Sequence, residues 1–321
     1  MSDVLRIARG KLPKYIDFKG DGDTFKMTMD KSCTTGNMQK NNSAFEAWAL
    51  YAKTENYGHV LLSECDSTVA MDESEKRHYN RFLYRVSRFE KAFDWFNVTD
   101  DLKMKVERFE NEVVSRKDLF VNAPFSEGEE PDSKSLEAVV ERALAKDENR
   151  ERMNEILGSG IGQFSYQLPV GLFGEKKAAE KVNPSEKAIF PSDKAAIDIW
   201  GLDGKTFHLV ELKVGSNYGL GVLSELFFYA YFMYDMYCCK HLERADPDDF
   251  KQYKKGGEFL REYKQLKDAK INSVVAYILT EQKHPKLQAA FDILHKNKFQ
   301  GIEFKKAICR PSLSTEFGAS K

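Results

Sequence analysis

The spacing of apolar positions changes character along the chain. Before residue 122, strand-like alternation in TFKMTMD (24–30) and HVLLSE (59–64) is mixed with helical spacing. The helical stretches are AFEAWALYAK (44–53), EKRHYNRFLYRVSRFEKAFDWF (75–96) and TDDLKMKVERFENEVVSR (99–116), the last opening on two aspartates that favour a helix start. After residue 135 the order is sharper. Residues 136–157 carry the apolar period of one helix of about six turns, ended by the GSGIG loop. FSYQLPVGLF (164–173), residues 195–201 and residues 206–214 read as strands. Residues 218–240 form a helix that is apolar nearly all round and therefore interior. INSVVAYILT (271–280) is a buried strand, HPKLQAAFDILHKNK a helix and GIEFKKAIC a last strand.

Between these halves, NAPFSEGEEPDSKS (122–135) combines Pro, Gly, Ser and acids, as an exposed linker does. The expected organisation is an α+β domain over residues 1–125 and an α/β domain over residues 126–321. The second domain runs α-β-β-β-α-β-α-β, an order that predicts a central mixed sheet flanked by helices.

Composition narrows the function classes without choosing one. A 321-residue chain with 42% hydrophobic and 31% charged residues can build a core and is not a disordered tail. The net charge of −1 gives no bulk attraction to nucleic acid or to an anionic membrane. Five cysteines with no C-x-x-C read as reduced thiols, and the six histidines show no metal-ligand spacing. MSDVLRIARGKLPK lacks the apolar core of a secretion signal, and the apolar run 222–239 is interrupted by Glu225 and Asp235. The expectation is a cytoplasmic protein with no membrane partner. GSGIGQ follows a helix and precedes a strand, the reverse of a phosphate-binding loop.

The chemistry concentrates in AAIDIWGLDGKTFHLVELKVG (195–215). Asp203-Gly204 between two alternating runs signals a hairpin. With those two residues as the turn, Leu202 faces Lys205, Trp200 faces Phe207 and Asp198 faces Leu209. Asp198, Glu211 and Lys213 then share one face, with the two carboxylates as diagonal neighbours roughly 5 to 8 Å apart at Cβ. E-x-K alone is a common solvated pattern. Here, however, Phe207 and Leu209 begin the same face as core, and Val210, Leu212 and Val214 make the other face apolar throughout. A strand apolar on both faces is internal, where unpaired charge is costly.

An acid in the second strand of such a core, followed by Glu211-Leu212-Lys213 in the third, resembles the PD-(D/E)xK nuclease superfamily, with its restriction-endonuclease-like fold. The likeness covers roughly residues 136–309, and Ile197 stands where the family name has proline. The following helix carries Glu225 and Tyr229 where some branches have Q-x-x-x-Y, with Glu in place of Gln. The resemblance implies an Mg²⁺ (or Mn²⁺) ion held by Asp198, Glu211 and the Leu212 carbonyl. It also implies a first-helix acid beside that ion, for which Glu155 is the candidate and Glu151 its competitor. It assigns Lys213 to orient water or stabilise charge, and Glu225 and Tyr229 to support the site. The implied activity is hydrolysis of phosphodiester bonds, in DNA first and RNA second. A homodimer is compatible with the family, and the alternative reading is a non-catalytic nuclease-fold module that binds nucleic acid or protein.

Two basic clusters are candidate phosphate contacts. Arg77, Arg81, Arg85 and Arg88 recur at helical spacing, and Lys254 and Lys255 lie in a second cluster running from Lys251 to Lys270.

Overall fold

The computed structural model describes residues 13–38, 43–65, 70–121, 135–175, 188–190, 195–215, 219–239, 243–244, 266, 269–282, 285–305 and 308–318. The linker reading at 122–134 and the candidates Lys254 and Lys255 lie outside the described residues.

The chain divides into two units. One comprises Met1–Arg116, Gly219–Phe228 and Pro285–Ile293, and the other Lys117–Tyr218, Tyr229–His284 and Leu294–Lys321. The first cut falls at 116/117 rather than 125/126, and the division is not sequential. Two helices explain this. Residues 221–237 are apolar nearly all round, and their first half belongs to one unit and their second to the other; in the helix at residues 285–296 the division falls after Ile293.

The first unit contains β1 (Ile16–Asp21), β2 (Thr24–Met29), α1 (Lys31–Thr34), α2 (Phe45–Thr54), β3 (His59–Glu64), α3 (Glu73–Ala92), β4 (Phe96–Val98) and α4 (Asp100–Phe109). Its sheet runs β1-β2-β3-β4, with an antiparallel hairpin followed by two parallel pairings. A capping box starts α3: Asp72 accepts from the Glu75 N–H, and Glu75 reaches back to the Asp72 N–H. Phe45 then packs edge-on against Phe82 and Phe89, at 5.7 and 5.9 Å between ring centroids.

This packing overturns the phosphate-contact reading of Arg81, Arg85 and Arg88. Arg81, Arg85 and Arg88 are buried, not on a solvated stripe. Arg85 forks onto Glu46 and also donates to the Ser43 carbonyl at 2.9 Å. Arg88 donates to Glu110 at 2.7 Å and lies over the Tyr84 ring. Arg81 donates to His78 Nδ1 at 2.9 Å. A twenty-residue helix with aromatic contacts on several sides buries these arginine stems, and the heads of Arg85 and Arg88 take acids from neighbouring elements. Arg77 is half-buried.

The second unit begins with β5 (Phe120–Val121), α5 (Leu136–Ala145), α6 (Arg150–Leu157), β6 (Phe164–Pro169), β7 (Leu172–Phe173), β8 (Ala188–Phe190), β9 (Ala196–Asp203) and β10 (Thr206–Lys213). The shared helix α7 (Gly221–Tyr237) follows, then β11 (Glu243–Arg244), β12 (Ser273–Thr280), the shared α8 (Pro285–Lys296), β13 (Ile302–Phe304), β14 (Ile308–Cys309) and α9 (Leu313–Phe317). Among the described residues one sheet has the order β13-β12-β10-β9-β6, with β14 also on β12, and another has the order β11-β5-β7-β8. β10 is antiparallel to β9 and parallel to β12. The architecture is mixed α/β.

Residues 136–157 are not one helix. Lys146 is extended, at φ −69° and ψ 144°, and a short 3₁₀ turn separates α5 from α6. The Asn149 side chain donates to the Ala143 carbonyl at 2.7 Å, so the break is satisfied by a local side-chain bond of the kind that competes with helix. Val140 and Leu144 of α5 and Met153 and Leu157 of α6 pack with Ile199, Val210, Leu212, Tyr277 and Leu279 into one core cluster. No helix among the described residues is long and apolar enough to cross a membrane.

Candidate active site

The hairpin sets the site. Asp203 pairs with Thr206, so the two loop residues are Gly204 and Lys205, with Gly204 at φ +58°. The register is therefore displaced by two from the sequence expectation: Trp200 faces Leu209, and Ile199 faces Val210. An even displacement leaves every side chain on its expected face. Asp198 now falls directly opposite Glu211, one step past the last pair of the ladder. The Asp198 carboxylate turns into that gap, where its Oδ2 accepts from the Leu212 N–H at 2.9 Å.

Acids gather around one ammonium. Lys213 Nζ lies 3.4 Å from Glu137, 3.9 Å from Asp198 and 4.0 Å from Glu211. The Glu211 side chain is 1% exposed and that of Lys213 13%. Glu137 and Glu141 sit one turn apart on α5. Burial raises the Glu137 carboxyl above its ordinary range; Lys213 opposes the rise, the Asp198 charge adds to it, and the Val214 N–H also opposes it. Burial, and after it the Asp198 charge, pushes Glu141 up to about 9. Gln167 Nε2 donates to Glu141 Oε1 at 2.8 Å.

The helical acid here is not Glu155. That residue lies exposed on α6, its carboxylate 2.6 Å from Arg152 Nη1, and Glu151 is exposed as well. Once the helix breaks at Lys146, the α5 residues occupy the position at the strand ends. A signal for them was present: in LEAVVERALA, Glu137 and Glu141 are four apart, and Glu141 adjoins the buried Val140 and Leu144. Nothing in the sequence announces Gln167. Glu225 and Tyr229 are both buried on α7; Glu225 belongs to the first unit and Tyr229 to the second.

The strand end that carries Lys213 is braced by Glu281. Its N–H donates to the Lys213 carbonyl at 3.1 Å, and its carboxylate accepts from the Gly215 N–H and the Ser314 N–H, each at 2.8 Å. The Ser314 hydroxyl completes the set.

The donors fit a hard divalent cation in type. Asp198 in β9 and Glu211 in β10 offer carboxylate oxygens, Leu212 follows Glu211 in β10, and Mg²⁺ takes one or two carboxylates and otherwise keeps water and substrate oxygens. Among the described residues no group of three or more His, Cys, Asp or Glu side chains is disposed to hold a metal. The fit therefore rests on the pair Asp198 and Glu211. Compared with family models, curated proteins and solved structures, the chain shows no match.

Proposed function

We propose that the chain is a metal-dependent nuclease that hydrolyses phosphodiester bonds in DNA. The observation that carries this reading is the meeting of Asp198, Glu211 and Glu137 within 4.0 Å of Lys213 Nζ at the end of an internal strand. The order of α5–α6, β6, β9, β10, α7 and β12 supports a restriction-endonuclease-like core, with β7 and β8 inserted and paired elsewhere. Asp198 and Glu211 would hold the cation, with the Leu212 carbonyl as a third oxygen. Bound there, Mg²⁺ or Mn²⁺ supplies Lewis acidity and lowers the pKa of a water.

The chain's own groups do the rest. The interior position of Glu211 keeps its carboxylate in one place and strengthens its electrostatics. Lys213 is a point charge on a four-carbon stem whose backbone is braced by Glu281, and it stabilises negative charge developing on a phosphoryl oxygen. Glu137, the more exposed acid, holds that ammonium on the open side. The test is cleavage of labelled DNA and RNA by wild type and by Asp198→Ala with Mg²⁺ or Mn²⁺. Equal behaviour of the two proteins ends the catalytic reading.

One observation favours a second reading. The Lys213 ammonium already offsets one of the three acid charges that lie within 4.0 Å of it. A non-catalytic nuclease-fold module would look the same. Calorimetric titration with Mn²⁺ separates them, because such a module has no need of the ion.

A further inference from the structure

We infer that Gln167 is a positioning residue of the acid cluster: from a left-handed backbone position across from Asp198, its amide holds the Glu141 carboxyl at the site. This rests on the nuclease reading above. Three independent features meet at Gln167. Its φ is +53°, the value of a left-handed residue, in a side chain longer than those that usually tolerate it. The β6–β9 ladder pairs Tyr166 with Ile199 and Leu168 with Ile197, yet skips Gln167 and Asp198, which the same register sets opposite each other. Its Nε2 reaches Glu141, which is 4% exposed.

The backbone alone would favour glycine there, since glycine has no Cβ to clash. Strain of this kind persists where the surroundings over-determine it, and it clusters at functional sites. What glutamine offers and glycine lacks is reach with a neutral donor. A lysine would add positive charge and compete with the cation, and a glutamate would add a negative charge opposite Asp198. An amide fixes the carboxyl without altering the charge that a cation meets. The turn removes one ladder contact and leaves Asp198 free to bend toward Leu212.

The experiment uses the full chain and the variants Q167G and Q167N, both compatible with a left-handed φ and both too short to reach Glu141. Mn²⁺ affinity is measured by calorimetry, DNA cleavage as kcat and KM separately, and folding as the thermal midpoint. The expected result for both variants is a midpoint equal to or above wild type. Alongside it, Mn²⁺ affinity and kcat fall roughly 10- to 100-fold, the scale for losing an outer hydrogen-bonding partner of a metal site, and KM for DNA stays unchanged. If wild type binds Mn²⁺, Asp198→Ala does not, and either folded Gln167 variant binds as wild type does, the role of Gln167 is overturned and the nuclease reading stands. If folded wild type neither binds Mn²⁺ nor cleaves, the nuclease reading fails and this inference with it.

Discussion

Leu212 donates its backbone N–H to Asp198 Oδ2 at 2.9 Å, at the point where the β9–β10 ladder stops with Ile199 and Val210. The carboxylate thus does two jobs. It closes a strand end, and it brings negative charge to Lys213. Substitution can separate them. Asp198→Asn keeps an oxygen for the Leu212 N–H and loses the charge. The expected outcome is a thermal midpoint within a few degrees of wild type, with cation-dependent cleavage reduced roughly 100-fold, the scale for removing one preorganised electrostatic group. Asp198→Ala lowers both. A cleavage assay beside a melting curve checks the separation.

The difference between sequence and structure at this hairpin is instructive. Asp203-Gly204 signalled the turn, and the loop proved to be Gly204-Lys205. The error was two positions, and strand parity is insensitive to an even slip, so the faces were legible although the partners were not. Glu137 and Glu141 were hidden for another reason: periodicity does not reveal a break satisfied by one side chain, as at Asn149. Arg85 and Arg88 of α3 misled because their partners, Glu46 and Glu110, lie 39 and 22 residues away. Spacing within one helix cannot show an acid supplied by another. The all-round apolar face of α7 correctly indicated an interior helix, but not that two units would share it.

Arg85 and Glu46 form a buried pair, the Arg85 side chain 3% exposed and that of Glu46 fully buried. Removing one partner strands the other's charge in a low-dielectric interior. Arg85→Met is expected to lower unfolding free energy by about 3–5 kcal/mol. Adding Glu46→Leu to it recovers part of that loss, since a buried pair replaced as a whole costs less than a pair broken. Urea denaturation of the two single variants and the double gives the coupling, and additive losses would refute it.

Glu281 is expected to shape stability in acid. Burial works to raise its carboxyl, but the Ser314 hydroxyl and the Gly215 and Ser314 N–H groups outweigh it and hold the group below its ordinary value of 4.5. A depressed carboxyl contributes stability that is present above that ordinary value and lost as pH falls through the folded one. Glu281→Gln can accept through one oxygen only and leaves a buried donor unmatched, a loss of about 1–3 kcal/mol. The expected outcome is a variant less stable than wild type at pH 7, with the gap narrowing as the pH drops below about 4.5. It also cleaves more slowly, because the brace on Lys213 is weakened. Denaturation series at several pH values, read beside kcat, check both parts.

The Glu141 carboxyl runs the other way. Burial and the neighbouring Asp198 charge push it up to about 9, so at neutral pH it keeps its proton in the fold and loses it on unfolding. Its protonated form contributes stability in full below the unfolded value, and the contribution is lost as pH rises toward the folded one. Wild type without divalent ions is therefore expected to weaken steadily from about pH 5 to pH 9, with this one proton giving a slope of at most about 1.4 kcal/mol per pH unit. Glu141→Gln keeps the size of the side chain and cannot ionise, so its curve should be flatter and should lie above wild type at pH 8. Urea titrations in a chelator at pH 6, 7 and 8 make the comparison. Parallel curves for the two proteins would mean that Glu141 is ionised in the fold, and that the acids around Lys213 carry one more negative charge than described.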